Sequence, residues 1–516
     1  MADILPADAE LNMSWRIFFL FIQSLFLIGC GPNKITLIEE REDLAVKDQQ
    51  WLMECPPDLS HPLTLDEIIK IAVRNNLELY VKAAEINIQE DEANRLRFAL
   101  LPQLNFDYQD TRRSQNAAAR VELIDAPPSS PPGSFQLSSP KHDITWDISF
   151  IWNILDFGVT YFRARQQDDK AFIQIYEYER IKNSVILRSV QSYWRAVAAK
   201  QALDRANILL PEMREQTAKL NSEIEDRVYL SKGQALGKLI YFNQREIQVL
   251  GYNDRNDSSD PTQGYEKEYI NALLDLAQLM QIPPGSQFDV YVPEDNLPYQ
   301  IDNLPVVNDL FNTALVNRPE LYERDLEYKI SADDVKIAII EQFPSVQLFN
   351  IKNFDSNPFL LHNNWYQAGV RMAWNLLAYP QHLMEYYSGK DEEERDIRNR
   401  LLLSESVLTQ VTLAYILYEQ NKDQYLLAKR VADSYKQAAD LSILESEVGK
   451  KSKLEALQAK IDYALARNNL GKIYAELQRN IEQLNNAIGI PLYFSTFRNI
   501  DLLEQGFNKL EYGCYD

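Results

Sequence analysis

Apolar residues recur at helical spacing from Thr64 onward. Ile68 and Ala72 lie on one stripe, and Thr64 is followed three residues later by Glu67, a capping-box pattern that marks the start of a helix. This helix is predicted to end before Pro102, because the residue that precedes a proline avoids helical backbone angles.

The hydrophobic period changes to two after this proline. Alternating apolar and polar residues predict two strands, at about residues 103–111 and 143–153, joined by a polar, proline-rich loop. The apolar face is rich in aromatic side chains and includes Trp146 and Trp152, a residue type favoured at membrane–water interfaces. Such a hairpin packs on a core in a soluble protein and faces lipid in an outer-membrane barrel.

Two long helices are predicted after the hairpin, at about residues 160–229 and 236–281, with a turn near Gly233. The first would be on the order of 100 Å long at the usual helical rise. Pro211 lies inside it and is expected to kink or break the helix near Leu210.

The same pattern is written a second time. Five residues of the first helix recur 242 positions later: Ala72, Asn75, Glu78, Leu79 and Tyr80 return as Ala314, Asn317, Glu320, Leu321 and Tyr322. Later matches are separated by 222 and then 208 positions, which indicates a second copy that has lost loop residues. A repeat of this length indicates a duplicated domain rather than a solenoid.

The duplication sets the predicted domain boundaries. The first structural repeat occupies residues 63–300, the second occupies residues 301–492, and residues 493–516 form a tail without clear periodicity. The elements predicted in the second repeat follow the order of the first: strands at about residues 345–353 and 365–376, and long helices at about residues 382–448 and 453–488, with a turn near Gly449.

The N-terminal 29 residues are predicted to be a signal peptide. Arg16 precedes an apolar run that ends in a small residue, Gly29. The acidic stretch before Met13 suits a signal poorly, which favours Met13 as the true translation start. The alternative interpretation is one short buried or anchoring helix.

Cys30 follows the small residue directly. This order resembles the lipobox of bacterial lipoproteins, so the resemblance implies a lipid attached to Cys30 and a lipid-anchored, extended lead-in over residues 30–62. Gly31, in place of an aspartate, implies the outer membrane by the same resemblance. The two other cysteines, Cys55 and Cys514, could then pair in an oxidising periplasm or remain unpaired thiols.

Composition excludes several classes of function. Acidic residues number 75 and basic residues 53, a net charge of −22, and nucleic-acid binding needs concentrated positive charge. No internal segment approaches 18 consecutive apolar residues, so no ordinary membrane-spanning helix is expected in the body of the chain.

Chemical motifs are also missing from the sequence. The four histidines are scattered, and the chain has no phosphate-binding glycine loop, no Gly-x-Ser-x-Gly elbow and no Cys-x-x-Cys pair. We therefore predict no catalytic residues, no metal site and no cofactor.

The four strands of the two hairpins have a consequence for the assembly of the protein. Four strands cannot close a barrel, and open sheet edges are not tolerated in lipid because unpaired backbone groups there have no water. If the hairpins enter a membrane, several chains must supply strands to one barrel. Helices on the order of 100 Å long likewise need lateral neighbours to bury their apolar stripes.

The whole pattern resembles the TolC-like outer-membrane efflux family, in its lipoprotein branch, over about residues 63–492. The most specific local match begins at Gly449 and continues with Ser452, Glu455, Ala456 and Leu457, similar to the periplasmic turn of that family. In the first repeat the match around Gly233 needs a shift of one residue.

This resemblance implies a mainly α protein with a small membrane β part. It implies a homotrimer with a 12-stranded β-barrel in the outer membrane that continues into a 12-helix periplasmic α-barrel. The implied function is the passive exit duct of a tripartite efflux or secretion system. The implied partners are a periplasmic adaptor protein and a proton-driven or ATP-driven inner-membrane transporter.

The resemblance also implies roles for residues at the helix turns. Gly233, Gly449 and Ser452 would lie where an adaptor docks, although glycine at a turn has a sufficient conformational reason. Glu455 stands where the family places an acid that narrows the periplasmic entrance, and Gln458 where some members carry a second acid. Alternatively, Glu455 is a solvated helix-surface charge paired with Lys451.

One other class of protein fits the pattern. A lipid-anchored periplasmic scaffold, a helical interaction protein without a pore, would bury the hairpins on a soluble core. It would need neither lipid-facing aromatic residues nor a trimer.

Overall fold

The computed structural model describes residues 37–54, 59–120, 135–226, 229–251, 264–283, 285–293 and 307–490. Its first helix, α1 (Leu37–Glu54), belongs to a separate unit from the other described residues. The predicted extended lead-in over residues 30–62 is therefore wrong where α1 lies. This segment is rich in Glu, Leu and Gln, which have high helix propensity.

The other described elements are mostly helices and follow the predicted repeat. The first repeat contains α2 (Leu65–Asn75), α3 (Leu77–Ala99), β1 (Gln103–Arg112), β2 (Ala117–Arg120), β3 (Phe135–Ser139), β4 (His142–Asn153), α4 (Ile154–Asp226), α5 (Tyr229–Val249) and α6 (Tyr265–Leu279). The second repeat contains α7 (Val307–Asn317), α8 (Pro319–Ile340), β5 (Ser345–Asp355), β6 (Asn364–Ala373), α9 (Tyr379–Glu447) and α10 (Lys453–Ala487).

An antiparallel four-stranded sheet joins the two repeats. The strand order is β1-β4-β5-β6, so the two hairpins lie side by side through the β4–β5 pair. Trp146 of β4 lies opposite Tyr108 on one side and Phe354 on the other. Among the described strands, β1 and β6 each have one neighbour, which leaves the sheet with two open edges.

A second hairpin, β2–β3, lies inside the loop that was predicted to be only polar and irregular. β2 carries three small side chains, Ala117, Ala118 and Ala119, without apolar–polar alternation, so its sequence has no strand signal. Asn357, in the loop between β5 and β6, donates through Nδ2 to the backbone oxygen of Ser138 at 2.9 Å. The outer loops of the two repeats therefore contact each other.

The first helix of each repeat is two helices rather than one. α2 ends and α3 begins at Asn76, whose ψ of 113° is extended, and whose side chain accepts a hydrogen bond from the amide of Leu79. The same break occurs 242 positions later at Arg318, followed by Pro319 at the first position of α8. Continuous helical periodicity hides this break in the sequence.

The long helices differ from prediction at two places in the first repeat. Of the predicted kink or break near Leu210, the break is absent, because α4 runs through Pro211 as one helix. The predicted helix over residues 236–281 is two helices, α5 and α6, separated by a polar insert at residues 250–264 that the second repeat lacks.

Buried side chains connect the two repeats through their long helices. Leu209 and Met213 of α4 and Phe242 of α5 pack with Leu457 and Ile461 of α10 in one hydrophobic cluster. The helix pairs of both repeats therefore share a core near the turn between α9 and α10.

One described helix, α9, contains an 18-residue stretch that is long and apolar enough to cross a membrane by composition. The same helix contributes Val407, Val411 and Tyr418 to a buried cluster with Tyr474 of α10. Composition alone therefore does not place α9 in a membrane.

Candidate functional site

The turn between α9 and α10 is built by a glycine cap. Gly449 has φ of +76°, a conformation that other L residues adopt only with strain. The amide of Lys450 donates to the carbonyl of Glu445 at 2.8 Å, and the amide of Gly449 donates to the carbonyl of Ser446 at 3.1 Å. This pair of bonds is the Schellman motif that ends a helix.

The start of α10 is fixed by a capping box. The Ser452 hydroxyl oxygen accepts from the amide of Glu455 at 3.2 Å, and the Glu455 carboxylate accepts from the amide of Ser452 at 3.1 Å. The backbone N–H and hydroxyl of Ser452 lower the pKa of Glu455, so this exposed side chain is ionised at neutral pH. Ser452 and Glu455 therefore act as one unit that orients the first turn of α10.

Glu455 is not paired with Lys451 as one interpretation proposed. Lys451 Nζ lies 2.8 Å from a carboxylate oxygen of Glu445 and 3.2 Å from the hydroxyl oxygen of Ser442. Lys451 thus ties the turn back to α9. The Ser-x-x-Glu spacing of Ser452 and Glu455 is a capping-box signal in the sequence. The sequence analysis used this signal to predict the helix start at Thr64 but did not use it for α10.

Gln458 lies three residues after Glu455 and is half-buried. Residues at this spacing lie on one face of a helix, so the two predicted entrance residues share a face of α10. Their position at a pore entrance stays a prediction, because it depends on neighbouring copies.

Gly233 does not occupy a turn. It lies inside α5, is exposed, and has no heavy atom within 4 Å of the position that a side chain would take. In the first repeat α4 ends at Asp226 and α5 begins at Tyr229, and the two residues between them lie outside the described residues. The two glycines are 216 positions apart, whereas Tyr193 and Tyr415 are 222 apart, so the register between the repeats changes before Gly233 and the glycines are not equivalent.

Polar contacts hold the two repeats together just beyond these turns. Lys460 of α10 lies 3.1 Å from a carboxylate oxygen of Glu212 on α4. Asp462 of α10 lies 3.2 Å from Arg245 and accepts from the Tyr241 hydroxyl at 3.3 Å, both on α5. These contacts connect α10 to both α4 and α5 close to the α9–α10 turn.

Three predicted site residues lie outside the described residues. Cys30, the proposed lipid attachment site, and the proposed disulfide partners Cys55 and Cys514 have no structural account here. Their roles stay predictions.

The sequence matches no family model, and no curated protein matches it. Its structure, however, is similar to several solved outer-membrane channels. The open state of the Neisseria gonorrhoeae MtrE outer membrane channel has a TM-score of 0.61 at 15% identity, over 83% of this chain and 89% of that chain.

Two further structures give the same result. The Campylobacter jejuni CmeC outer membrane channel has a TM-score of 0.58 at 16% identity, over 84% of this chain and 88% of that chain. The outer membrane protein VceC from Vibrio cholerae has a TM-score of 0.59 at 12% identity, over 83% of this chain and 96% of that chain. The resemblance to TolC-like proteins is thus confirmed in three dimensions, and the chain has the fold of the outer-membrane channels.

Proposed function

We propose that this protein is the outer-membrane exit duct of a tripartite efflux or secretion system and acts as a homotrimer. The observation that carries the proposal is the four-stranded sheet with open edges at β1 and β6, in a chain with an outer-membrane channel fold. Lipid supplies no hydrogen bonds to unpaired edges, so a membrane-inserted sheet of this kind needs partner strands. Three copies would join β6 of one chain to β1 of the next and give twelve strands.

The long helices support the same assembly. Leu402, Leu413 and Leu441 of α9 are each more than half exposed, although they lie on a helix whose other face packs in the core. Exposed apolar side chains along so long a helix indicate a surface that another element covers. Neighbouring copies in a trimer would cover it and form the wall of a tunnel across the periplasm.

Under this proposal the chain supplies a passive path. An inner-membrane transporter supplies the energy, and a periplasmic adaptor docks at the turns that include Gly449 and Ser452. Lipid on Cys30 anchors the chain, while the barrel supplies the insertion that a single acyl chain does not. Glu455 and Gln458 line the periplasmic entrance, where three copies of a carboxylate would favour cations.

The mass of the detergent-extracted protein, measured by light scattering with the detergent subtracted, tests the assembly. We expect three copies, and we expect discrete conductance steps when the same preparation is added to a planar bilayer. A stable, folded monomer without conductance would instead favour the lipid-anchored scaffold without a pore.

The proposed lipid anchor has its own test. Cys30→Ala should abolish metabolic labelling of the protein by a radioactive fatty acid, because the thiol is the only proposed attachment point. Labelling that persists in this variant would contradict the anchor.

The entrance assignment can be separated from the helix cap. Glu455→Gln removes the charge, yet glutamine also closes a capping box, whereas Ser452→Ala removes the cap and keeps the charge. We expect Glu455→Gln to lower the cation preference of the reconstituted channel and Ser452→Ala to leave it unchanged. Equal preference in the wild type and Glu455→Gln would limit Glu455 to its capping role.

A further inference from the structure

The apolar side chains of β5 move to the other face of the sheet in the middle of the strand and return at Phe354. Directly paired residues in an antiparallel sheet lie on the same face. One face, which we call the aromatic face, is defined by Leu104, Phe106, Tyr108, Trp146, Ile148, Phe150, Trp152, Val346, Leu348, Phe354, Tyr366, Val370 and Met372. Phe349 and Ile351, which follow Leu348 in β5, lie on the opposite face. The pairing of β5 with both neighbours is continuous, so no bulge causes this change.

The change of phase places a lysine on the aromatic face. Lys352 lies opposite Ile148 on β4 and Tyr366 on β6. Its Nζ is 5.7 Å from the centre of the Trp146 ring and 5.8 Å from the centre of the Tyr366 ring, within the range of cation–π attraction. In the described part of the chain no carboxylate pairs with this ammonium, so two aromatic rings position an unneutralised charge.

The other charges near this sheet do not reach Lys352. Asp107 and Asp147 lie on the opposite face. On the aromatic face, Asp110 lies beyond the apolar rows, where its carboxylate is 2.9 Å from His142 and 3.7 Å from Arg112. Lys352 is therefore available to an external anion.

The position of Lys352 along β5 indicates which anion it could meet. All four strands join the long helices at one end and the loops at the other, and Lys352 is three residues before the loop end of β5. This step rests on the proposed function, because a periplasmic helical end puts the loop end in the outer leaflet. A lysine on the lipid face of a barrel costs about 2–4 kcal/mol at the midplane and about 0–1 kcal/mol near the interface.

We propose that Lys352, held between Trp146 and Tyr366, binds the phosphate of a lipid headgroup in the outer leaflet. The ammonium is a compact charge with three donors, which suits phosphate oxygens, and a long side chain can extend it toward the headgroup layer. The two aromatic rings pack beside the lipid and hold the amine in place. The strand thus carries a site for a phosphorylated lipid among the aromatic and aliphatic side chains of this face.

The test measures lipid bound to the full-length protein in detergent by native mass spectrometry. The probe is bis-phosphorylated lipid A, compared with lipid A from which the phosphates have been removed. We expect Lys352→Gln to weaken binding of the phosphorylated form about fivefold, the factor that corresponds to about 1 kcal/mol for a basic residue near a charged lipid surface. Lys352→Arg should retain binding, and the dephosphorylated form should bind equally to wild type and Lys352→Gln.

The sheet offers a matched control on its other face. The Arg371 guanidinium lies 5.9 Å from the centre of the Phe349 ring, so Arg371→Gln also removes one cation and one cation–π contact. The proposal is overturned if Arg371→Gln weakens lipid binding as much as Lys352→Gln, or if Lys352→Gln binds like the wild type. Displacement of the lipid by millimolar inorganic phosphate would assign the site to free phosphate and also overturn it.

Conductance of the same preparations separates this proposal from the proposed function. Lys352→Gln should form channels of wild-type conductance, because the side chain is not on the face that would line the pore. Absence of channels in the wild type together with Lys352-dependent lipid binding would remove the proposed function and leave the lipid site in place.

Discussion

The two repeats share a break in their first helix but stabilise it with different side chains. Each interrupts its first helix at the same aligned position, Asn76 in one and Arg318 in the other. Asn76 caps the new helix with its side chain, which accepts from the amide of Leu79 at 3.2 Å. Arg318 makes no such cap, and Pro319 instead starts α8, where a missing N–H costs nothing.

The elements that end next to these breaks differ in the same way. Gln281 and Gly489 are aligned at an offset of 208 and both have positive φ, 53° and 76°. The next amide in each repeat, Ile282 or Ile490, donates to a carbonyl five residues earlier. Only the second repeat uses glycine. Duplication has therefore preserved the backbone geometry, whereas the side chains that stabilise it have diverged.

Gly489→Ala should produce the largest difference between the repeats. A methyl group there would lie 2.7 Å from the carbonyl carbon of Asn317, in a backbone conformation that alanine disfavours. We expect a loss of about 3 kcal/mol in the free energy of unfolding, seen as a lower Tm in detergent. The matched variant is Gln281→Ala. Glutamine already has a side chain at this positive φ, so its replacement by alanine should change the free energy of unfolding by less than about 0.5 kcal/mol. Equal losses in both variants would show that backbone crowding at Asn317 is unimportant.

Gly233 and Gly449 look alike in the sequence, but their substitution should change stability with opposite signs. Gly449 has positive φ at a turn, so Gly449→Ala should destabilise the protein by about 1 kcal/mol. Gly233 is an exposed helical residue, and Gly233→Ala should stabilise it by about 0.5–1 kcal/mol. Thermal unfolding of the two variants against the wild type measures both changes. Destabilisation by Gly233→Ala would mean that Gly233 has a turn-like conformation after all.

The side-chain cap at Asn76 is expected to contribute about as much to the free energy of unfolding as Gly449, or slightly less. Asn76→Ala should cost about 1 kcal/mol, because the buried amide of Leu79 loses its side-chain acceptor and keeps only the carbonyl of residue 76. Asn76→Asp retains an acceptor and should stay close to the wild type in the same urea titration. If both variants lose stability equally, the side chain of Asn76 acts through packing rather than capping.

The repeats should also differ in how their stability depends on pH. α4 faces both repeats with opposite charges, Glu177 toward Lys82 at 2.8 Å and Arg180 toward Glu323 at 3.7 Å. Burial raises the pKa of Glu323 to about 7, and only Arg180 and Arg324 oppose this shift, whereas the aligned residue of the first repeat is the exposed Val81.

A raised folded-state pKa means that the contribution of Glu323 to stability is complete below its ordinary pKa of 4.5. This contribution is lost as the pH rises toward about 7. Glu323→Gln should therefore raise the Tm at pH 8 and leave it unchanged at pH 4. A Tm that falls equally at both values would indicate that the ion pair with Arg180 dominates.

The sequence predicted the parts of this fold that rest on hydrophobic period. The strands of the main sheet and the helices α9 and α10 have uninterrupted patterns, and the structure places them within a few residues of the predicted bounds. The repeat offset also located the shorter loops of the second copy. These features depend on which face of an element is apolar, which the sequence records directly.

Other features depend on contacts that the sequence does not record. The break at Asn76 interrupts no periodicity, and the alanine-rich β2 forms through pairing with β3 rather than through its own pattern. Gly233 and Gly449 look equivalent in the sequence, but only Gly449 has a left-handed backbone. Glu455 was interpreted by family resemblance, whereas its local hydrogen bonds with Ser452 follow from spacing alone.

The two unpaired edges of the sheet also matter for a single copy before any assembly forms. β1 and β6 present rows of free backbone donors and acceptors, which recruit any extended chain nearby. If the proposed trimer forms, a newly made copy carries two open sheet edges that only neighbouring copies pair correctly. Its biogenesis would then depend on chaperones that cover these edges. A shortage of such chaperones would produce aggregates rather than soluble monomers.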